Sequence, residues 1–188
     1  MKAAAAHLPL SIEEYLEGEL LSEIRHEYVD GEVFAMSGTS KNHNRIAGNT
    51  LFHLRSVTRG TGCGVYMSDV KVRIEAGNRF YYPDVVVSCA PSDGDAYFER
   101  NPCLLAEVLS PSTEATDRRE KWLAYRDLES LRYYLLISSQ ERLVEVYSRQ
   151  SAGGWVHLTL GEDEPLVIDC EGLHLTLSLK DIYEDVRW

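Results

Sequence analysis

Apolar residues along this chain recur in short runs separated by turn-forming residues, and the pattern predicts a mixture of helices and strands. Ser11, followed three residues later by Glu14, has capping-box spacing and predicts the start of a short helix. The Asp30-Gly31 pair within residues 27–36 predicts a β-hairpin closed by a type I′ turn. A longer helix is predicted over residues 42–59, because its apolar positions fall on one face.

The remaining apolar runs predict strands around one further helix. Strands are expected at 65–74, 80–89, 103–109, 133–138, 143–148 and 155–160, with a helix at 117–128. Two late runs, 166–168 and 173–179, and a short helix near Asp181 are expected to be peripheral. This order of elements predicts an α+β fold, in which helices flank one mixed central sheet that follows the N-terminal hairpin. We expect a single domain over residues 1–188, with 1–9 as a flexible tail.

The composition is that of an ordinary globular protein, with 188 residues, 44% of them hydrophobic and 26% charged. No run approaches the roughly 20 apolar residues of a membrane span, and the N-terminal segment lacks the apolar core of a signal peptide. A cytoplasmic protein with no membrane partner is therefore expected. The net charge of −11 argues against a general nucleic-acid coat protein, but it is compatible with an enzyme that binds divalent cations.

The four cysteines, Cys63, Cys89, Cys103 and Cys170, form no C-x-x-C motif and no Cys/His cluster with zinc spacing. The sequence therefore predicts reduced thiols that behave as small hydrophobic side chains.

Two strand-like runs each contain one carboxylate. Asp84 begins a Val-Val-Val run, and Glu107 lies in the middle of the 103–109 run. A carboxylate in such a run is costly to bury unless it is paired, so neighbouring strands would bring both acids to one shared cation. Mg²⁺ suits this arrangement because it takes one or two carboxylates and keeps its waters, with Mn²⁺ as a substitute and the Val108 carbonyl as a further ligand.

Lys121 is the third candidate. On a helix it shares a face with the apolar residues Ala124, Tyr125 and Leu128, so its ammonium group is expected to point at an anion. Such a cation could orient an attacking hydroxide or neutralise charge that develops on phosphorus.

Simpler roles for the same residues stay open at this point. Asp84 could pair with Lys71 or Arg73, and Glu107 could form an ordinary ion pair with Lys121. Lys121 could equally form a surface pair with Asp117, four residues earlier on the helix.

Several motifs together carry a resemblance to a known family. They are Pro83-Asp84, Glu-Val-Leu-Ser-Pro-Ser-Thr at 107–113 and Asp-Arg-Arg-Glu-Lys at 117–121, with matching segments at 25–32, 36–38, 134–137 and 144–147. In these positions the chain resembles the bacterial family named "putative restriction endonuclease", abundant in cyanobacteria, within the PD-(D/E)XK nuclease superfamily. The resemblance covers roughly residues 10 to 180.

The resemblance implies a restriction-endonuclease-like fold and hydrolysis of DNA phosphodiester bonds, with Mg²⁺ held by Asp84 and Glu107. Leu109 stands where the superfamily usually has its lysine, and the family instead uses a lysine on the following helix, which matches Lys121. Glu27 and His43 match residues that members place near the metal. Their alternatives are a surface acid on the hairpin for Glu27, and a helix-start polar residue or core histidine for His43.

Two other classes of function compete with the enzyme. A nuclease fold that binds nucleic acid or a protein without cutting would account for the leucine at position 109, where the superfamily usually has its lysine. It would also account for the net negative charge of the chain. A structural homodimer could use the aromatic residues Tyr133, Tyr134, Tyr147 and Trp155 as a contact, although such residues more often belong to a core.

Overall fold

The computed structural model describes residues 9–91, 94–170 and 172–188. The expected N-terminal tail, apart from Pro9, lies outside the described residues. The capping box at Ser11 is present, and helix α1 runs over Ile12–Leu21 as predicted. The hairpin is confirmed as well, because strands β1 (His26–Val29) and β2 (Glu32–Ala35) pair with each other across the Asp-Gly turn.

The remaining elements follow the predicted order closely. In chain order they are α2 (Lys41–Val57), β3 (Gly64–Met67), β4 (Lys71–Ile74), β5 (Arg79–Tyr81), β6 (Val85–Ser88), β7 (Phe98–Glu99), β8 (Leu104–Leu109), α3 (Glu114–Thr116), a π-helical turn (Asp117–Lys121), α4 (Trp122–Tyr125), β9 (Tyr133–Ser138), β10 (Val144–Arg149), β11 (Trp155–Thr159), β12 (Leu166–Cys170), β13 (Leu173–Leu177) and α5 (Leu179–Ile182). Across the described ranges, no helix combines the length and apolar character needed to cross a bilayer.

Within the described ranges, the strands are divided among three sheets. The largest has the order β11-β10-β9-β8-β6-β3, and its β8–β9 pair is parallel while its other pairs are antiparallel. A second sheet has the order β2-β1-β5-β4-β7, and β12 and β13 form a separate hairpin. The predicted α+β fold with a mixed sheet is confirmed, but the strands expected in one sheet are shared between two large ones.

Two of the predicted strands are broken where the chain passes from one sheet to the other. The run 65–74 divides into β3 and β4 beside Ser68, whose φ of 45° lies outside the strand region. The run 80–89 divides into β5 and β6 around Pro83, which has no N–H to donate to a ladder. Each half therefore pairs in a different sheet, and Asp84 lies at the junction.

The six-stranded sheet is covered on both faces. Leu104, Ala106 and Val108 of β8 belong to one core cluster together with the inner face of α2. Leu105 and Leu109 face the other way and pack with Tyr125 of α4. Successive side chains of β8 thus point alternately into two cores. Glu107 points to the same side of the sheet as Leu105 and Leu109.

The C-terminal segment is not peripheral, contrary to the prediction. Ile168, Leu173 and Ile182 are fully buried in the same cluster as α2 and one face of β8. Its alternating apolar residues therefore complete the core beside α2, because one face of the hairpin packs inward.

The cysteines also depart in part from the prediction. Cys63 and Cys89 form a disulfide, while Cys103 and Cys170 are buried thiols as expected. Gly64 pairs with Ser88 in the β3–β6 ladder, so continuing that register by one residue sets Cys63 opposite Cys89. Motif spacing could not reveal this pair, because 26 residues separate the two cysteines in the sequence.

Candidate active site

The fold brings Asp84 and Glu107 to the same end of the β6–β8 pair. The two strands are antiparallel, and their last paired residues at this end are Val85 and Ala106. Asp84 comes directly before Val85 and Glu107 directly after Ala106, and the charge of Asp84 contributes to the raised pKa of Glu107. Asp84 is fixed there by the Val108 N–H, which donates to Asp84 Oδ2 at 2.7 Å.

Lys121 lies at the centre of three carboxylates. Its Nζ is 2.9 Å from Glu27 Oε1, 3.2 Å from Glu107 Oε1 and 3.2 Å from Asp117 Oδ1. Lys121, Glu107 and Asp117 expose only 6%, 3% and 2% of their surface. The helical-face argument for Lys121 therefore gave the right orientation, whereas the idea of an exposed Lys121–Asp117 pair is wrong.

The π-helical turn at Asp117–Lys121 brings this ion pair into the interior. The helical segment begins at Glu114 rather than at 117, and its wider turn directs both charged side chains inward. The Tyr134 hydroxyl donates to the Asp117 carbonyl at 3.0 Å and so satisfies a backbone group within the turn. Single π-turns inside helices occur frequently at functional sites.

Glu27 is part of the same cluster and is not an exposed hairpin acid. Besides Lys121, its Oε1 accepts a hydrogen bond from the Tyr82 N–H at 3.1 Å. Tyr82 belongs to the segment between β5 and β6, so this contact ties the hairpin to the strand junction that carries Asp84.

His43 approaches Asp84 from the first turn of α2, which Ser40 caps. His43 Nε2 lies 3.4 Å from Asp84 Oδ2, and the ring is mostly buried. Its Nδ1 is buried and has no hydrogen-bond partner among the described residues. His43 is therefore neither a solvated helix-start residue nor a fully satisfied core histidine.

The alternative partners proposed for Asp84 are engaged elsewhere. Lys71 Nζ donates to the Tyr82 hydroxyl at 3.2 Å, and the Arg73 guanidinium lies 5.7 Å from the centre of the Phe80 ring. The proposed ion pair between Glu107 and Lys121 does exist, but it is one contact of a larger cluster.

Sequence reasoning missed three contributors to this site. The Tyr125 hydroxyl donates to Glu107 Oε1 at 3.2 Å, and the Tyr81 ring lies beneath Lys121 with its centre 5.5 Å from Nζ. Asp117 was considered only as a surface acid. Its spacing of four residues from an inward-facing lysine was the one available signal.

The cluster has an excess of negative charge. Glu27, Glu107 and Asp117 contact one ammonium group, and Asp84 interacts with it electrostatically without touching it. Burial raises the pKa of Glu107 well above its ordinary value, although Lys121 opposes the rise. Burial likewise raises the pKa of Asp84 against the opposing effects of His43 and the Val108 N–H. Burial alone would lower the pKa of Lys121, but Glu107, Glu27 and Asp117 together hold it well above its ordinary value.

This donor set fits a hard divalent cation. Within the described residues, hydrogen bonds to the two acids end on Asp84 Oδ2 and Glu107 Oε1, which leaves one oxygen of each carboxylate for another ligand. Over those ranges no group of three or more His, Cys, Asp or Glu side chains is already arranged to hold an ion. Two carboxylates completed by water are, however, the ligand set that Mg²⁺ commonly accepts.

The arrangement of helices and mixed sheets is that of the restriction-endonuclease-like nuclease fold. The Uma2 family model, whose description is "Putative restriction endonuclease", matches residues 12–180, and the chain belongs to this family. The resemblance inferred from the motifs is thereby confirmed.

Two relatives and one solved structure are also similar to this chain. "Uncharacterized protein slr1290" of Synechocystis sp. (strain ATCC 27184 / PCC 6803 / Kazusa) is 39% identical over 175 residues, 90% of each chain. "Uncharacterized protein sll1609" of the same organism is 31% identical over 159 residues, 83% of this chain and 90% of the relative. A crystal structure described as "a putative nuclease belonging to DUF820" from Anabaena variabilis ATCC 29413 superposes with a TM-score of 0.72 at 20% identity. It covers 93% of this chain and 98% of that one, and it confirms the predicted fold.

Proposed function

We propose that this protein is a Mg²⁺-dependent endonuclease that hydrolyses DNA phosphodiester bonds. Asp84 and Glu107 would hold the ion, with the Val108 carbonyl as a further ligand and Mn²⁺ as a substitute. The proposal is supported by the position of Asp84 and Glu107 at the same end of the β6–β8 pair, with Glu107 in contact with the buried ammonium group of Lys121. When bound, such an ion polarises a phosphoryl oxygen and lowers the pKa of a coordinated water.

Lys121 would supply the second positive charge. Three carboxylates fix its Nζ in position, so the ammonium group needs no reorganisation before it stabilises negative charge on the phosphate or orients a water molecule. Glu27 and Asp117 act through Lys121 by holding it in place, and we therefore regard them as positioning residues.

His43 would orient Asp84. Its ring contacts Asp84 Oδ2, the oxygen that also accepts the Val108 N–H, so both contacts favour the same rotamer of the carboxylate. Among the described residues, no hydrogen bond or ion pair ends on the other oxygen, Asp84 Oδ1, so a ligand could use it.

Nicking of supercoiled plasmid DNA tests this function. We expect nicking by the wild type with Mg²⁺ or Mn²⁺, no nicking in EDTA, and a loss of about a hundredfold or more in Asp84→Asn and Glu107→Gln. Asp127→Asn is a matched control, because it removes an exposed carboxylate that, among the residues the structure describes, forms an ion pair with the adjacent Arg126 alone. Metal-dependent nicking that persists in both site variants would overturn the assignment.

A second candidate function is binding without cleavage. It is favoured by Leu109 at the superfamily's lysine position and by the carboxylates being engaged with Lys121 rather than with one another. Salt-sensitive binding of DNA or RNA, with no turnover under any divalent ion, would support it. Turnover that depends on Glu107 would exclude it.

The predicted cytoplasmic location and the predicted homodimer are both compatible with this proposal. A cytoplasmic location would give the enzyme access to DNA, and a homodimer would allow two sites to act on one duplex. The aromatic residues suggested for a dimer contact are, however, used within the chain. Tyr134 is buried, and Trp122 stacks on Tyr147 at 4.1 Å and meets Trp155 at 5.0 Å. Sedimentation analysis would test the dimer.

A further inference from the structure

All four cysteines of the chain meet at one end of the six-stranded sheet. Cys63 directly precedes β3, Cys89 directly follows β6, Cys103 directly precedes β8, and Cys170 ends β12. Asp84 lies at the opposite end of β6, so this cluster is separate from the acidic site. Four cysteines far apart in sequence have thus been brought to one place by the tertiary fold.

Their contacts form a continuous series. Cys63 is bonded to Cys89, and Cys103 Sγ lies 3.9 Å from Cys89 Sγ. Cys170 Sγ in turn contacts the Cys103 carbonyl oxygen at 3.7 Å. A disulfide therefore has a thiol in van der Waals contact with one of its two sulfur atoms.

The backbone holds Cys103 in this position. Its N–H donates to the Val87 carbonyl at 2.7 Å, and its own carbonyl accepts from the N–H groups of Arg132 and Tyr133 at 2.8 and 3.1 Å. Cys103 is 8% exposed, so the sulfur has little freedom to leave the disulfide. A thiolate next to a disulfide sulfur is the starting arrangement for thiol–disulfide exchange.

We propose that these residues form an intramolecular thiol–disulfide exchange site, in which Cys103 attacks Cys89 and displaces Cys63. The Cys103 thiol loses its proton, and the electron pair of the thiolate forms the new Cys103–Cys89 bond. The Cys89–Cys63 bond breaks, and its electron pair leaves with Cys63, which takes up a proton. The numbers of disulfides, thiols and protons are unchanged, so no external oxidant or reductant is needed.

Cys170 is the second free thiol of the cluster, and its environment can be compared with that of Cys103. Its hydrogen bond to Cys103 and its burial raise the pKa of the Cys170 thiol, which keeps it protonated and poorly nucleophilic. Cys170 therefore belongs to the cluster without being the attacking group.

The exchange would change which strands are covalently joined. The observed bond links the edge strand β3 to β6, whereas the product would link β6 to β8. Asp84 directly precedes β6, and Glu107 lies within β8. The disulfide could thus cross-link either the edge strand β3 to β6, or β6 to β8, the strand that carries Glu107.

Disulfide mapping tests the proposal without reference to nuclease activity. The protein is quenched in acid, its thiols are alkylated, and peptides from the denatured chain are identified by mass spectrometry. We expect both the Cys63–Cys89 and the Cys89–Cys103 isomer in the wild type and in Cys170→Ser, and complete loss of the second isomer in Cys103→Ser. Air-oxidised Cys63→Ser should contain Cys89–Cys103 as its main disulfide within a monomer.

Thermal unfolding of each variant shows whether it is folded, so that the mapping can be interpreted. A folded Cys63→Ser protein in which Cys89 stays a thiol, or links only to a second chain, would overturn the proposal. One zinc ion per chain bound to four thiolates, with no disulfide present, would overturn it as well.

Discussion

Asp117 and Lys121 face each other inside the protein across a single π-helical turn, with Asp117 Oδ1 3.2 Å from Lys121 Nζ. The contact lacks the geometry of a hydrogen bond, and Asp117 Oδ1 has no such partner among the described residues. It is therefore an electrostatic contact in a poorly solvated place. Because Glu27 and Glu107 meet the same ammonium group, Lys121 acts as the counter-ion of the whole cluster.

Removing that counter-ion should be strongly destabilising. Lys121→Met leaves three carboxylates in contact with no cation, and breaking a buried ion pair in this way typically costs about 3–5 kcal/mol. Urea unfolding should show this loss, whereas Lys180→Met on the exposed surface of α5 should leave the unfolding free energy nearly unchanged. Equal effects of the two substitutions would contradict the central role of Lys121.

The same cluster should show coupling between its members. In the double variant Lys121→Met, Glu107→Gln, one of the uncompensated charges is gone, so the combined loss of stability should be smaller than the sum of the two single losses. A double-mutant cycle measured by urea unfolding gives the coupling free energy. Strict additivity would mean that Glu107 and Lys121 do not interact appreciably.

Tyr125→Phe isolates one hydrogen bond of the site. The substitution removes the hydroxyl that donates to Glu107 Oε1 and keeps the ring, which packs edge-on against Tyr81 and Tyr134. Removing one partner of a buried hydrogen bond costs about 1–3 kcal/mol, and we expect a loss in that range by chemical denaturation. Tyr97→Phe, at an exposed position, is the matched control.

The raised pKa of Glu107 predicts how stability depends on pH in the metal-free protein. The folded state binds the Glu107 proton more tightly than the unfolded state does. In the unfolded state the pKa of Glu107 is the ordinary 4.5. This contribution to stability is complete below the unfolded pKa and is lost as pH rises through the folded pKa. The unfolding free energy should therefore fall as pH increases above that ordinary value, and Glu107→Gln should flatten the decline while Asp127→Asn should not.

The same protonation should couple to metal binding. A carboxylate must lose its proton before it can bind an ion, so Mg²⁺ should displace protons from the site. Titration calorimetry in buffers of different ionisation enthalpy measures the protons released. We expect fewer in Glu107→Gln than in the wild type, and no release by the wild type would argue against Glu107 as a ligand.

The cysteine cluster makes a prediction about stability. In the chain-entropy model a cross-link over 26 residues contributes about 3.5 kcal/mol, and one over 14 residues about 3 kcal/mol. Under oxidising conditions Cys63→Ser should therefore lose little stability, because Cys89 can bond to Cys103, whereas Cys89→Ser should lose the full amount. Under reducing conditions the two variants should unfold alike, and a large loss in oxidised Cys63→Ser would contradict the exchange.

Local patterns were sufficient for most of the secondary structure. Ser11 with Glu14, the Asp-Gly turn and the one-sided apolar face of α2 all depend on neighbours within one or two turns, and the structure has them where they were expected. The breaks beside Ser68 and Pro83 were missed, because an apolar run does not show to which sheet each half belongs. An apolar run likewise does not show which core it packs against, and residues 166–182 were therefore wrongly predicted to be peripheral.

By itself the sequence determined the identities of Asp84, Glu107 and Lys121 as candidates, and the inward direction of Lys121, because a carboxylate in an apolar run or a lysine on an apolar helical face needs a partner. Only the tertiary structure decided who the partners are. The pairing of β6 with β8 brings Asp84 and Glu107 to the same end of these strands, the π-turn buries Asp117, and the β3–β6 pairing joins Cys63 to Cys89. These contacts link residues far apart in the chain or depend on a widened helical turn, and the periodicity of the sequence contains neither kind of information.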